Sequence, residues 1–195
     1  MAVALILDFP GGAREQYDRV VEKMDLHGRM PDGGMFHAAG SCEGGWRVID
    51  VWEELALFEG FRDAKILPLA QAEGLRPPAV AVVEVAEQKR GSGSRPVLVQ
   101  VVRLPGLDQI GFRAADMEIL SVYGGQTPSA ITFHVNGPYD GGWCVVDAWS
   151  SKAERDRFIE ERVVPVMGEA GLTGPPEIQE LAIEATLGAG VLSHA

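Results

Sequence analysis

Basic residues are scarce in this sequence, cysteine is nearly absent, and no long apolar run occurs. Seventeen Lys and Arg stand against 28 Asp and Glu, a formal charge of −11. A phosphate backbone is held chiefly through Lys and Arg, so no nucleic-acid partner is expected. The one basic cluster, Lys89, Arg90 and Arg95, falls in a Gly/Ser-rich stretch and reads as solvated linker. Two cysteines, Cys42 and Cys144, make neither a CxxC pair nor a disulfide framework. A reducing cytoplasm is the simplest setting for them. No run approaches the roughly 20 apolar residues that a bilayer crossing needs, and Ala2 to Leu7 is too short for a signal core. No membrane association is expected.

Other absences narrow the chemistry. Gly11-Gly12 lacks the spacing and the Lys of a phosphate loop and reads as a turn. No nucleophile-elbow motif appears, and neither does a flavin or nicotinamide signature, so no cofactor is expected. The four histidines, His27, His37, His134 and His194, fall into no metal-ligand spacing, and no metal site is expected. His194 is next to last, where disorder is the usual expectation.

What the sequence does contain is a repeat. Phe36-His37 and Gly44-Gly45-Trp46, followed by Asp50 and Trp52, recur as Phe133-His134 and Gly141-Gly142-Trp143, followed by Asp147 and Trp149. His37 and His134 are 97 positions apart, as are Trp52 and Trp149, and the offset holds through Pro68/Pro165 to Pro78/Pro175. About a third of the positions from Gly28 to Pro78 are identical to their counterparts, rare Trp and His among them. With 46% hydrophobic and 23% charged residues, each copy of roughly ninety residues has the composition of a small globular domain.

Each copy reads strand, helix, strand, strand, helix, strand. In the first, Val3 to Phe9 is β-rich, Ala13 to Leu26 has helical spacing, and Met35 to Ser41 and Trp46 to Trp52 flank a Glu43-Gly44-Gly45 hairpin. Glu53 to Glu73 is helical with a break expected at Pro68, and Ala79 to Val85 is the last strand. The division is residues 1–87 for the first repeat, a flexible linker at 88–95, residues 96–185 for the second repeat, and a tail at 186–195. The βαββαβ order is ferredoxin-like, and two sheets left bare on one face are expected to cover each other.

The element order and the F-H-x-x-G-x-x-x-G-G-W-x-V-x-D-x-W pattern resemble the dimeric α+β barrel superfamily, which includes the antibiotic biosynthesis monooxygenase (ABM) domains. The resemblance implies an α+β fold, with two ferredoxin-like βαββαβ units forming a pseudo-twofold barrel within one chain. It also implies a self-contained pseudo-dimer, with further oligomerisation open.

Strand parity sorts the side chains by face. Arg47, Ile49 and Val51 share one face, and Trp46, Val48, Asp50 and Trp52 the other. The helix-packed face is expected to be aliphatic, which turns the Trp/Asp face, with His37 and Ala39, away from the helices and into a cavity. The same parity puts His134, Asn136, Trp143, Asp147 and Trp149 there in the second copy. His37 with Asp50, and His134 with Asp147, are then cross-strand neighbours.

Each pair reads either as an acid/base dyad, the carboxylate fixing the imidazole tautomer, or as a satisfied buried pair. The Trp residues read as core or as the wall of a site for a flat aromatic or apolar small molecule. The resemblance implies a cofactor-independent monooxygenase or cyclase acting on an aromatic or polyketide-like substrate. In it His134 is the base, Asp147 its orienter and Asn136 an oxyanion donor, with Trp143 and Trp149 stacking on substrate and His37, Asp50, Trp46 and Trp52 as further binding residues. The alternative is a non-catalytic ligand-binding or stress-related barrel, with haem binding on His37 or His134 a less favoured variant. Asn136 replaces Ala39 between the copies, and a ligand-sized cavity is expected nearer Asn136.

Overall fold

The computed structural model describes residues 1–91 and 95–188. Ser92, Gly93 and Ser94 of the expected linker lie outside the described residues, as do the expected tail beyond residue 188 and His194 with it. The elements of the first copy are β1 (Val3–Pro10), α1 (Arg14–Met24), β2 (Gly34–Cys42), β3 (Gly45–Trp52), α2 (Leu55–Phe61), α3 (Leu67–Ala72) and β4 (Ala79–Glu84). A short strand β5 (Glu87–Arg90) follows. The second copy repeats the order as β6 (Leu98–Pro105), α4 (Gln109–Ser121), β7 (Ile131–Tyr139), β8 (Gly142–Trp149), α5 (Lys152–Phe158), α6 (Val164–Met167) and β9 (Glu177–Ala182), with β10 (Ala185–Thr186) last.

Two antiparallel five-stranded sheets result, ordered β10-β2-β3-β1-β4 and β5-β7-β8-β6-β9. The runs β2-β3-β1-β4 and β7-β8-β6-β9 are the ferredoxin-like sets read from sequence, and each sheet gains a short strand, β10 or β5, at one edge. Residues 88–90 were assigned to the flexible linker and Glu87 to the first repeat, yet all four pair with β7. Ala185–Thr186 likewise pairs with β2. By compactness the described residues divide into Met1–Val82 with residues 181–188, and Val83–Glu180.

Local chemistry accounts for the elements. The hairpins close on two-residue turns, Glu43-Gly44 and Asp140-Gly141, and positive φ at Gly44, Asp140 and Gly141 supplies the twist such turns need. Asp108 caps α4 by accepting from Gly111 N at 2.8 Å, and Ser151 caps α5 at Glu154 N. The break expected at Pro68 takes another form. A five-residue π-helical turn, Arg62–Ile66, precedes Leu67-Pro68, and Ile159–Val163 precedes Val164-Pro165 in the second copy. The wider turn absorbs the missing proline N–H without ending the helix.

The core of the first unit joins Leu5, Leu7, Phe9, Trp46, Val48 and Trp52 of the sheet to Tyr17 of α1 and Phe58 of α2. The Trp/Asp face is therefore the helix-packed face, and the face assignment made from parity is reversed. Polarity could not settle the matter because the opposite face is equally dry: Ala4, Ile6, Ala38, Ile49 and Val51 are all at most 2% exposed. Alternation reports orientation only when one face meets water. Among the described residues, no helix is long and apolar enough to cross a membrane.

Candidate active site

Residues opposed across the β2–β3 and β7–β8 hairpins form the polar centre of each unit. His37 is the cross-strand partner of Asp50, and His134 of Asp147. Each histidine brings Nδ1 to 2.7 Å from its aspartate Oδ1. A carboxylate only accepts, so Nδ1 carries the proton and Nε2 is the ring atom left for other partners. All four groups lie between sheet and helices, not on the helix-free face expected from sequence.

The two units then diverge at Nε2. In the first, Tyr17 Oη of α1 lies 2.6 Å from His37 Nε2, completing a buried Tyr17–His37–Asp50 chain. Burial first, then Asp50 and Asp18, raises the Tyr17 phenol far above its ordinary value, so it stays a donor. In the second, Phe112 stacks on Trp143 with centroids 5.5 Å apart, much as Tyr17 packs on Trp46 at 5.2 Å. Phe112 brings no hydroxyl. Asn136 takes over that role from the sheet itself, its Nδ2 2.8 Å from His134 Nε2, while Trp143 Nε1 donates to Asn136 Oδ1 at 3.2 Å.

Burial alone would lower the His134 pKa. The charge and hydrogen bond of Asp147, with Asp116 behind them, outweigh it and hold His134 above its ordinary value. Lys89 opposes this weakly.

Each centre opens onto a cavity under the helices. The first, about 60 Å³, is lined by Tyr17, His37, Trp46, Asp50 and Trp52 among apolar side chains. The second, about 90 Å³, is lined by His134, Asp147 and Trp149, with Lys89, Gln100 and Asp116 adding polarity that the first lacks. Neither reaches the few hundred Å³ of an ordinary ligand pocket. A further pocket of about 360 Å³ lies beside the second cavity and shares Thr127, Trp149 and Phe158 with it. Asn136 is 2% exposed and is not among the residues lining the cavity, which borders His134 and not Asn136 itself. Trp143 is not among them either. Thr132, at the β7 bulge, donates to Ala148 O at 3.1 Å.

The indole N–H groups of Trp46, Trp52 and Trp149 are buried without a hydrogen-bond partner among the described residues, and Trp149 borders both the second cavity and the pocket beside it. Sequence reading missed Tyr17, Lys89, Gln100 and Asp116. Tyr17 has no tyrosine counterpart in the other copy, and Lys89 sat in a stretch that looked like linker. Among the described residues no three of His, Cys, Asp and Glu converge as metal ligands would.

No protein-family model matches the sequence, and no curated protein does. Solved structures match it in fold. A candidate monooxygenase from Lactobacillus acidophilus NCFM superposes with a TM-score of 0.65 at 12% identity, over 98% of this chain and 99% of its own. A candidate monooxygenase from Fusobacterium nucleatum gives 0.69 at 10% identity, over 98% and 96%. An anthrone oxidase-like protein gives 0.51 at 17% identity, over 100% and 96%. The chain shares its α+β fold with these proteins. At these identities the likeness reaches the fold alone, and the chemistry rests on the chain's own side chains.

Proposed function

We propose that the chain is a fused tandem repeat of ABM type that works as a cofactor-independent monooxygenase on a flat phenolic or polyketide-like substrate, with the chemistry in its second unit. The observation that carries this reading is the Asp147–His134–Asn136–Trp143 chain, with contacts of 2.7, 2.8 and 3.2 Å, standing at a cavity that also holds Lys89. Asp147 fixes the tautomer and stabilises the imidazolium that forms when His134 takes a proton. The acidic group of the substrate replaces the Asn136 amide at Nε2, one hydrogen bond for another, and the released amide N–H faces the oxygen on which charge develops. Trp149, whose N–H has no partner among the described residues, walls the cavity for a flat ring.

An anthrone illustrates the balance. His134 removes one proton from the CH₂, and the carbanion, delocalised as a phenolate-type enolate, passes electrons to O₂. A C–O bond forms, the second C–H bond breaks with the O–O bond, His134 returns its proton to the departing oxygen, and the products are a quinone carbonyl and one water. Substrate loses four electrons and O₂ gains four, so no outside reductant is required.

In the first unit, the Tyr17 hydroxyl already holds His37 Nε2 inside an apolar cavity, which supports a structural role for that pair. The test is oxygen uptake with anthrone, no flavin or metal added and chelator present. Wild type and His37→Ala are expected to consume oxygen, and His134→Ala is expected to fall at least about 100-fold, the low end of a lost general base. No uptake by wild type above buffer, or equal loss from both histidine variants, would overturn the reading.

A further inference from the structure

Lys89 stands where a solvated linker was expected. β5 pairs with β7 in a register that sets Lys89 opposite His134, so the two side chains leave the same face of the sheet. Both line the second cavity. Lys89 Nζ is 3.2 Å from Asp116 Oδ2 on α4 and 3.4 Å from Glu87 Oε1 on its own strand. An ammonium has three N–H donors, and these carboxylates account for two of them. Among the described residues, no such cation lines the first cavity. There β10 pairs Ala185 with Ala39 and Thr186 with Ala38, and the following residue, Leu187, lines the cavity with His37. Burial would lower the Lys89 pKa, but Asp116 and then Glu87 outweigh it and keep the amine charged.

The groups facing this point come from five elements: Lys89 and Glu87 from β5, Gln100 from β6, Asp116 from α4, His134 from β7 and Asp147 from β8. Lys89 offsets one of the three carboxylates Asp116, Glu87 and Asp147, and two remain. A ligand arriving as an anion is therefore repelled, whereas a neutral weak acid is not. We propose that Lys89 is the counter-ion of a phenolate or enolate generated inside the second cavity, which therefore selects neutral phenols and enolisable ketones. The ligand's O–H or C–H bond breaks, a bond forms from the proton to His134 Nε2, and the electron pair stays on the ligand beside Nζ. The net charge of the site is unchanged, while the new negative charge lies between two cations. The bulk of a larger ligand extends past Thr127, Trp149 and Phe158 into the adjoining pocket of about 360 Å³. This rests on the reading of His134 as base but not on oxygen chemistry.

The probe is 4-nitrophenol, whose phenolate absorbs at a wavelength apart from that of the phenol. Its ionisation when bound to the full chain is followed by absorbance across pH, with circular dichroism as the check on folding. In wild type the bound probe is expected to ionise about one pH unit below the value in Lys89→Met, a tenfold difference, with Lys89→Arg close to wild type. Asp116→Asn, which removes a competing carboxylate, is expected to lower it further, and this arm stands even where Lys89→Met does not fold. Equal ionisation in wild type, Lys89→Met and Asp116→Asn, or failure of wild type to bind the probe, would overturn the proposal. A chain that ionises the probe yet consumes no oxygen with anthrone sinks the monooxygenase reading alone. Undiminished anthrone turnover by Lys89→Met sinks the counter-ion alone.

Discussion

Trp143 Nε1 lies 3.2 Å from Asn136 Oδ1, and this bond decides which end of the Asn136 amide meets His134. An indole N–H can only donate, so it takes the carbonyl oxygen and turns the amide NH₂ toward His134 Nε2. That suits a neutral imidazole protonated on Nδ1. An imidazolium would set N–H against N–H. Two sets of neighbours thus pull in opposite senses: Asp147 and Asp116 favour the cation, and Trp143, acting through Asn136, favours the free base.

Removing the indole donor separates these influences. Trp143→Phe is expected to lose one buried hydrogen bond, about 1 kcal/mol in urea unfolding, and to free the amide to turn over. His134 should then titrate at higher pH than in wild type, read from its imidazole C–H resonances. An unchanged or lower titration would mean that the amide orientation has no hold on the histidine.

Asp147→Asn addresses the opposite influence. The folded-state pKa of His134 is raised, so this group's contribution to stability is fully present below the unfolded value near about pH 6.5 and is lost as pH rises through the folded value. Wild type is therefore expected to lose melting temperature from about pH 6.5 upward, and the Asn variant to lack that component. The measurement is the difference in Tm between the two proteins along a pH series. A constant difference would assign the pair no proton linkage.

Tyr17→Phe tests the first unit. The variant leaves His37 Nε2 buried with no donor, a cost of about 1–3 kcal/mol, or roughly 2–4 °C of Tm per kcal/mol in a chain of this size. Oxygen uptake with anthrone should stay near wild type. Loss of uptake in Tyr17→Phe, with uptake retained in His134→Ala, would move the chemistry to the Tyr17–His37–Asp50 chain.

The sequence was informative about pairing and silent about facing. The offset of 97 between the copies and the two Gly-centred turns specify the β2–β3 and β7–β8 registers, and with them the contacts of His37 with Asp50 and His134 with Asp147. Which way those pairs point was not legible, because Val48 and Ile49, on opposite faces, are both buried. Lys89 was misread for a different reason. A four-residue edge strand flanked by Gly and Ser is too short to show period-two alternation, and its partner β7 lies some forty residues further on. Tyr17 and Asn136 do the same work at Nε2 from different elements, so comparing the copies position by position could not match them.

The glycine of the repeated motif, Gly40 in one copy and Gly137 in the other, supplies the last prediction. Neither has a positive φ, so backbone freedom does not explain it. Space does. A Cβ on Gly137 would run into the carbonyl oxygen of Glu84, and one on Gly40 into that of Ala182. In each case the colliding atom is backbone, held close by neighbouring bonds from Ala86 N to Asn136 O at 2.8 Å and from Glu184 N to Ala39 O at 2.9 Å. Gly137→Ala should therefore cost about 1–3 kcal/mol or more, as overpacking against an immovable neighbour does. Gly60 in α2 is the control. Its Cβ would meet nothing within 4 Å, and Gly60→Ala should gain about 0.5–1 kcal/mol from helix propensity. Urea unfolding of the two variants checks both signs. Because the residue preceding Gly137 is the partner of His134, the damaging substitution should also shift the His134 resonances, whereas Gly60→Ala should leave them in place. Equal stability of the two variants would show that the edge segment yields, and that the repeated glycine is not there to let it approach.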